Sequence, residues 1–223
     1  KKIMGFEALV RWNSEHMGVV APAKFIPIAE DTHLIIPLGE WILEEAVKFI
    51  KKLHKLGHTD LIMSVNISNI QFNQKDFSEF VLNLLKKYDL PSKNLELEIT
   101  ESVMMRSMDN VINNMNRIRE AGIRIALDDF GTGYSSLNYL TKIPINTLKI
   151  DKSFIEDAEL KREKSLLVET IVHIAHGLGL SIVAEGVETE EQYVYMLKHK
   201  CERIQGFYFS EPLPEDKVMD LIN

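Results

Sequence analysis

Sulfhydryl chemistry is almost absent from this chain: Cys201 is the single cysteine among 223 residues. That excludes an internal disulfide framework and fits a reducing, cytoplasmic setting. No apolar run approaches the roughly 18 residues that read as a membrane span, and no signal-peptide pattern opens the chain. Low-complexity segments, proline-rich linkers and fixed-period repeats are missing as well. So are the lysine- or arginine-rich runs that grip a nucleic-acid backbone, and the net charge is −7. Polymeric DNA or RNA is therefore a poor partner. A small phosphate ester stays open, because bound metal ions reverse the local sign of an acidic site. What remains is ordinary globular composition, 45% hydrophobic and 26% charged.

Strand-length apolar runs alternate with stretches of helical periodicity. The runs are Ile3–Val10, Leu61–Ile67, Leu95–Ile99, Ile123–Leu127, Thr147–Ile150, Ser181–Ala184 and Arg203–Phe209. The amphipathic stretches are Gly39–Leu56, Phe77–Lys87, Asp109–Ala121, Lys164–Leu178, Glu190–His199 and Glu215–Ile222. Gly57, Gly122 and Gly179 stand where helices should stop. This alternation predicts an α/β fold with a parallel sheet. Glu7, Asn66, Glu98, Asp128, Lys149, Glu185 and Gln205 fall in or at the end of seven different runs. A barrel gathers all its strand ends at one mouth, whereas a doubly wound sheet uses a few, so a (β/α)8 barrel is expected. Such a barrel has eight strands, and the missing one is expected N-terminal to Lys1, in a longer parent protein.

The most informative stretch is Asp128-Asp-Phe-Gly-Thr-Gly133, which follows the strand-like Ile123–Leu127. Two adjacent carboxylates repel, and a divalent cation is the simplest relief. Glu7, Glu98, Asp128, Asp129 and Glu185 with the amide of Asn66 form an all-oxygen donor set, suited to Mg²⁺ or Mn²⁺ and not to zinc. Two ions about 3.5–4 Å apart, sharing one carboxylate, would use these donors economically in phosphoester hydrolysis. Lys149 among the acids would orient or deprotonate the attacking water; a lysine so placed keeps its proton, so positioning is as good a role as base work.

Taken singly, most of these residues have plainer readings. Glu98 and Glu101 could be the solvent face of an alternating strand, Glu7 and Arg11 a surface pair, Asn66 a turn residue, and Lys149 a partner of Asp151. Placement at successive strand ends is what outweighs those readings. Other candidates fail. His173 and His176 lack a third ligand, Ser135-Ser136 lacks a nearby histidine base, and Cys201 lacks a catalytic partner. Met104, Met105 and Met108 read as core or lining.

Gly5-Phe-Glu-Ala-Leu-Val-Arg-Trp12 resembles the signature of the EAL-domain family of cyclic di-GMP phosphodiesterases. The likeness continues through Phe25–Glu30, Val65–Ser68, Leu97–Ser102, Asp128–Leu137, Leu148–Asp151, Ala184–Glu188 and Gln205–Ser210, and so spans residues 1–223. The resemblance implies a modified TIM barrel that hydrolyses cyclic di-GMP to linear pGpG with two Mg²⁺ or Mn²⁺ ions. It assigns Glu7, Asn66, Glu98 and Asp128 to one metal, and Asp128, Asp129 and Glu185 to the other. Lys149 would contact the attacking water, Gln205 would line the site, and Arg11 would reach a substrate phosphate. Glu101 matches the glutamate that anchors the Asp128–Leu140 loop, which in this family also touches the dimer interface. A homodimer, and a GGDEF or sensor domain in a membrane-anchored or soluble parent, are implied in the same way. His33 and Lys200 depart from the family, which often has glycine there.

Two other functions compete. A receptor that binds cyclic di-GMP without cleaving it would have lost Glu7, Asp128, Lys149 or the loop glycines, and none is lost. A one-metal barrel enzyme abstracting a proton beside a carboxylate would not need so many ligands.

Overall fold

Leu95-Glu-Leu-Glu-Ile-Thr100 alternates apolar and acidic residues with the period of a strand, whose successive side chains point to opposite faces. The computed structural model describes residues 2–105, 108–131, 140–156 and 162–222, and this segment is a strand in it. The chain divides into two compact units, Lys1–Ile99 with Val103–Arg124, and Thr100–Ser102 with Ile125–Asn223.

The first unit opens with strand β1 (Gly5–Ala8) and an antiparallel hairpin, β2 (Trp12–Ser14) and β3 (Gly18–Val20). Helices α1 (Pro22–Asp31) and α2 (Ile35–Lys55) follow, then β4 (Ile62–Asn66), α3 (Asn69–Phe72), α4 (Phe77–Tyr88), β5 (Leu95–Thr100) and α5 (Met108–Glu120). Strands β1, β4 and β5 pair in parallel, with Glu7 beside Ser64, Ser64 beside Glu96, and Asn66 beside Glu98. Register partners share a face, so Glu7, Ser64, Asn66, Glu96 and Glu98 lie on one side and Phe6, Met63, Val65, Leu95, Leu97 and Ile99 on the other. Helix α2 lies against β4 and α4 and buries Leu43, Val47, Ile50 and Leu53. The acidic side of β5 is closed too: Glu96 and Glu98 are 1% and 3% exposed. A solvent face is therefore the wrong account of that alternation.

The second unit holds β6 (Arg124–Phe130, entered from the last residue of the first unit), β7 (Thr147–Ile150), α6 (Lys152–Ile155), α7 (Arg162–Gly177), β8 (Ser181–Ala184), α8 (Glu190–Lys198), β9 (Arg203–Ile204) and α9 (Glu215–Ile222). Its strands pair in parallel in chain order. Thr147, Lys149, Ser181 and Arg203 share one face, while Leu148, Ile150 and Ile182 fill the other and are fully buried.

The structure differs from the sequence reading in several details: helices α1, α3 and α6 are additional, and α2 begins at Ile35 instead of Gly39. The hairpin of β2 and β3 is additional too. Strand β6 continues through the aspartate pair to Phe130 instead of ending at Leu127. The run at 203–209 keeps only two strand residues, because Gln205 and Tyr208 exchange backbone hydrogen bonds with Ala184 and Val187 as the chain turns back. The helix stops are as expected. Gly122, at φ +85, donates to the Arg119 carbonyl at 2.9 Å, and Ile123 donates to Ile118 at 3.2 Å. His33 and Lys200 each sit at φ 61, the left-handed region that favours glycine. Among the described residues, no helix is long and apolar enough to cross a membrane.

Candidate functional site

In the first unit the candidate residues come from three neighbouring strands. Glu7 is half-buried on β1, Asn66 is exposed at the end of β4, and Glu98 is buried on β5. Asn66 Nδ2 donates to Glu7 Oε1 at 2.6 Å. One row lower on the same face, Glu96 accepts from Ser64 Oγ at 3.3 Å and from Arg124 Nε at 3.1 Å. Glu96 was not among the candidates. Its signal was its spacing of two from Glu98, which puts both acids on one face. Arg11 is exposed, and its Nη1 donates to the Val10 carbonyl at 2.9 Å.

In the second unit the aspartate pair sits in a bulge. Leu127 pairs with Leu148 and Phe130 with Ile150, so three steps on β6 match two on β7. The extra residue is absorbed at Asp128-Asp129, where Asp129 takes φ 54 and donates its N–H to Asp128 Oδ1 at 3.0 Å. Lys149, 1% exposed, places Nζ 2.6 Å from Glu185 Oε1 and 3.4 Å from Asp128 Oδ2. An ammonium so deeply buried needs such partners. Glu185 follows β8, with its N–H held by the Ile150 carbonyl at 3.0 Å. Gln205 is exposed; its N–H donates to Ala184 at 2.8 Å, and its carbonyl accepts from Val187 at 3.0 Å. Glu101 is half-buried and opens the 3-10 turn Glu101–Met105. The loop it was expected to anchor includes residues 132–139, which lie outside the described residues, as does the dimer contact expected there.

Asp129 is exposed as a residue, yet its carboxyl is partly sunk. That desolvation first, then the charges of Asp128 and Asp151, raise its pKa, with Lys149 opposing. Asp151 was read only as a partner for Lys149; here it also caps α6, accepting from the Ser153 N–H at 3.0 Å. Its spacing of two from Lys149 was the available signal.

Among the described residues, no group of three or more His, Cys, Asp or Glu side chains is gathered as a ready metal cage. The chemistry of the donors nevertheless fits Mg²⁺ or Mn²⁺. Every side-chain candidate ligand offers oxygen, and at Asp129 burial first, then the Asp128 and Asp151 charges, disfavour the ionised carboxyl, a penalty that a bound cation would offset.

The family model described as EAL domain matches residues 1–212. The chain belongs to the EAL domain family. Signaling protein YkoW of Bacillus subtilis (strain 168) is 40% identical over 222 residues, covering 100% of this chain and 28% of the relative. The bifunctional diguanylate cyclase/cyclic di-GMP phosphodiesterase MucR of Pseudomonas aeruginosa is 39% identical over 217 residues, covering 97% of this chain and 32% of the relative. The EAL chain thus spans about a third or less of these curated relatives. A solved structure of the PaMucR phosphodiesterase in complex with c-di-GMP matches with a TM-score of 0.92 at 39% identity, over 97% of this chain and 88% of that one. The fold is accordingly the α/β, TIM-barrel-like EAL fold.

Proposed function

We propose that this EAL domain, residues 1–223, hydrolyses one phosphodiester bond of cyclic di-GMP to give linear pGpG. The observation that carries the reading is Lys149, buried on β7 and held between Asp128 on β6 and Glu185 just after β8. A charged donor fixed by two acids is equipped to hold and orient a water molecule. Glu7, Asn66, Glu98 and Asp128 would hold one Mg²⁺ or Mn²⁺ ion, and Asp128, Asp129 and Glu185 a second. Bound there, the ions would supply Lewis-acid stabilisation of the phosphoryl oxygens and a more acidic water. Arg11 would turn from the Val10 carbonyl toward a substrate phosphate, and Gln205 would line the substrate. Glu101 would anchor the segment after Asp129, which would also serve a homodimer. A sensor or GGDEF domain in the parent protein would control the output. That cyclic di-GMP is the substrate is supported by the relative MucR and by the complex above.

Incubation with cyclic di-GMP and Mn²⁺, followed by chromatography of the nucleotides, tests this. pGpG is expected from the wild type and not from Glu7→Ala. Nucleotide that binds but stays intact would replace the hydrolase with a receptor.

A further inference from the structure

We propose that Phe154 is a positioning residue for the Asp128-Asp129 pair, acting through Gly131. The inference rests on the metal-site reading above and concerns what keeps those two carboxylates in place. A bulge leaves one residue outside the strand ladder, so its aim depends on how its two exits are fixed. The entry is fixed by Leu127 beside Leu148, and the exit by Phe130 beside Ile150. Just past the exit, Gly131 takes φ +93. A Cβ built on it would lie 2.8 Å from Phe154 Cζ and 3.1 Å from Cε2, so the ring rests on the bare Cα.

Phe154 is itself well anchored. It lies on α6, whose first turn is capped by Asp151. Its own N–H donates to the Asp151 carbonyl at 3.1 Å, and its neighbour Ile155 is fully buried. Lys164 Nζ, from α7, donates to the Ser153 carbonyl at 3.0 Å and to Glu156 at 2.6 Å. The ring is thus a fixed stop against a residue two positions beyond Asp129. Without it, Gly131 is free to back away and the bulge to relax, which would re-aim Asp129 and loosen Asp128 from Lys149.

The test is Mn²⁺ binding to the whole chain without nucleotide, read from the electron paramagnetic resonance signal of free Mn²⁺. Phe154→Ala is expected to weaken Mn²⁺ about 10-fold, as loss of an outer-shell support does. Phe154→Leu, which keeps bulk at the contact, should fall between that variant and wild type. Met196→Ala, a truncation at a fully buried site on α8, should lower thermal stability at least as much and leave Mn²⁺ affinity unchanged. Wild-type affinity in both Phe154 variants, or equal weakening in Met196→Ala, would overturn the positioning role while leaving the metal site standing. A wild-type chain that binds no Mn²⁺ would instead remove the metal site and this inference with it.

Discussion

In the first unit Glu7 is held by a neutral donor, the Asn66 amide at 2.6 Å; in the second, Asp128 and Glu185 close on a buried cation, Lys149. The two faces are built on a similar plan, polar residues at alternate positions of parallel strands, interrupted by Ile62 on β4 and Val183 on β8. At these two contacts the electrostatic means differ, although Arg124 Nε also brings a cation to Glu96 on the first face at 3.1 Å. An amide satisfies a hydrogen bond and leaves the carboxylate's charge in place, whereas an ammonium neutralises charge and must itself be kept from water. The second unit should therefore depend far more on its central residue than the first does on Asn66.

Lys149→Met exposes that dependence most directly. It leaves two largely buried carboxylates uncompensated and should cost about 3–5 kcal/mol. Asn66→Ala removes one hydrogen bond at an exposed position and should cost about 1 kcal/mol. Urea unfolding without added metal measures both. Adding Glu185→Gln to Lys149→Met should recover part of the loss, since one uncompensated charge goes. Equal costs for the two single variants would erase the distinction between the units.

Acid and alkali should separate the units as well. Glu44 on α2 is held down to about 2 by hydrogen bonds from Lys87 first and Tyr88 second. A depressed carboxyl contributes stability above its ordinary value near 4.5 and loses it as the pH falls through about 2. Cys201 in the second unit is pushed up to about 12, chiefly by burial. The fold prefers the neutral thiol, so that contribution is whole below the ordinary value of 9.0 and is lost as the pH rises through about 12. Glu44→Gln should flatten the acid limb of stability against pH, and Cys201→Ala the alkaline limb. Urea midpoints across both ranges would show it, and a variant that altered the opposite limb would contradict these assignments.

The sequence made some of this visible and hid the rest for definite reasons. Alternation in Leu95–Thr100 announces a strand, but only burial of Glu96 and Glu98 shows that its acidic face is internal. Asp128-Asp129 stands out in the sequence as a candidate site, while the bulge that holds the pair is a mismatch between two strands and leaves no mark in one. Spacing from Lys149 marks Asp151 as a neighbour of the acidic cluster, but its charge also bears on Asp129 across strands, which linear spacing does not show. The hairpin strands, three residues each, are too short for any periodicity to register. Helix stops were legible because Gly57, Gly122 and Gly179 carry a conformational requirement in their own identity.

Where such a stop is not glycine, a smaller contrast between the units opens. Lys200 ends α8 at φ 61 with both bonds of a Schellman stop, Lys200 to Leu197 at 3.0 Å and Cys201 to Met196 at 3.2 Å. His33 ends α1 at the same φ and donates to Glu30 at 3.1 Å, while its carbonyl accepts from Ile36 as α2 begins. A side chain in the left-handed region costs about 1–2 kcal/mol; glycine removes that strain, but its greater unfolded-state entropy offsets part of the gain. Lys200→Gly should therefore stabilise the second unit by about 0.5–1 kcal/mol. His33→Gly should gain less, because the added freedom falls between two helices that the turn holds close. Thermal unfolding of both variants ranks them. A loss of stability in Lys200→Gly would mean that its side chain contributes more than the strain it causes.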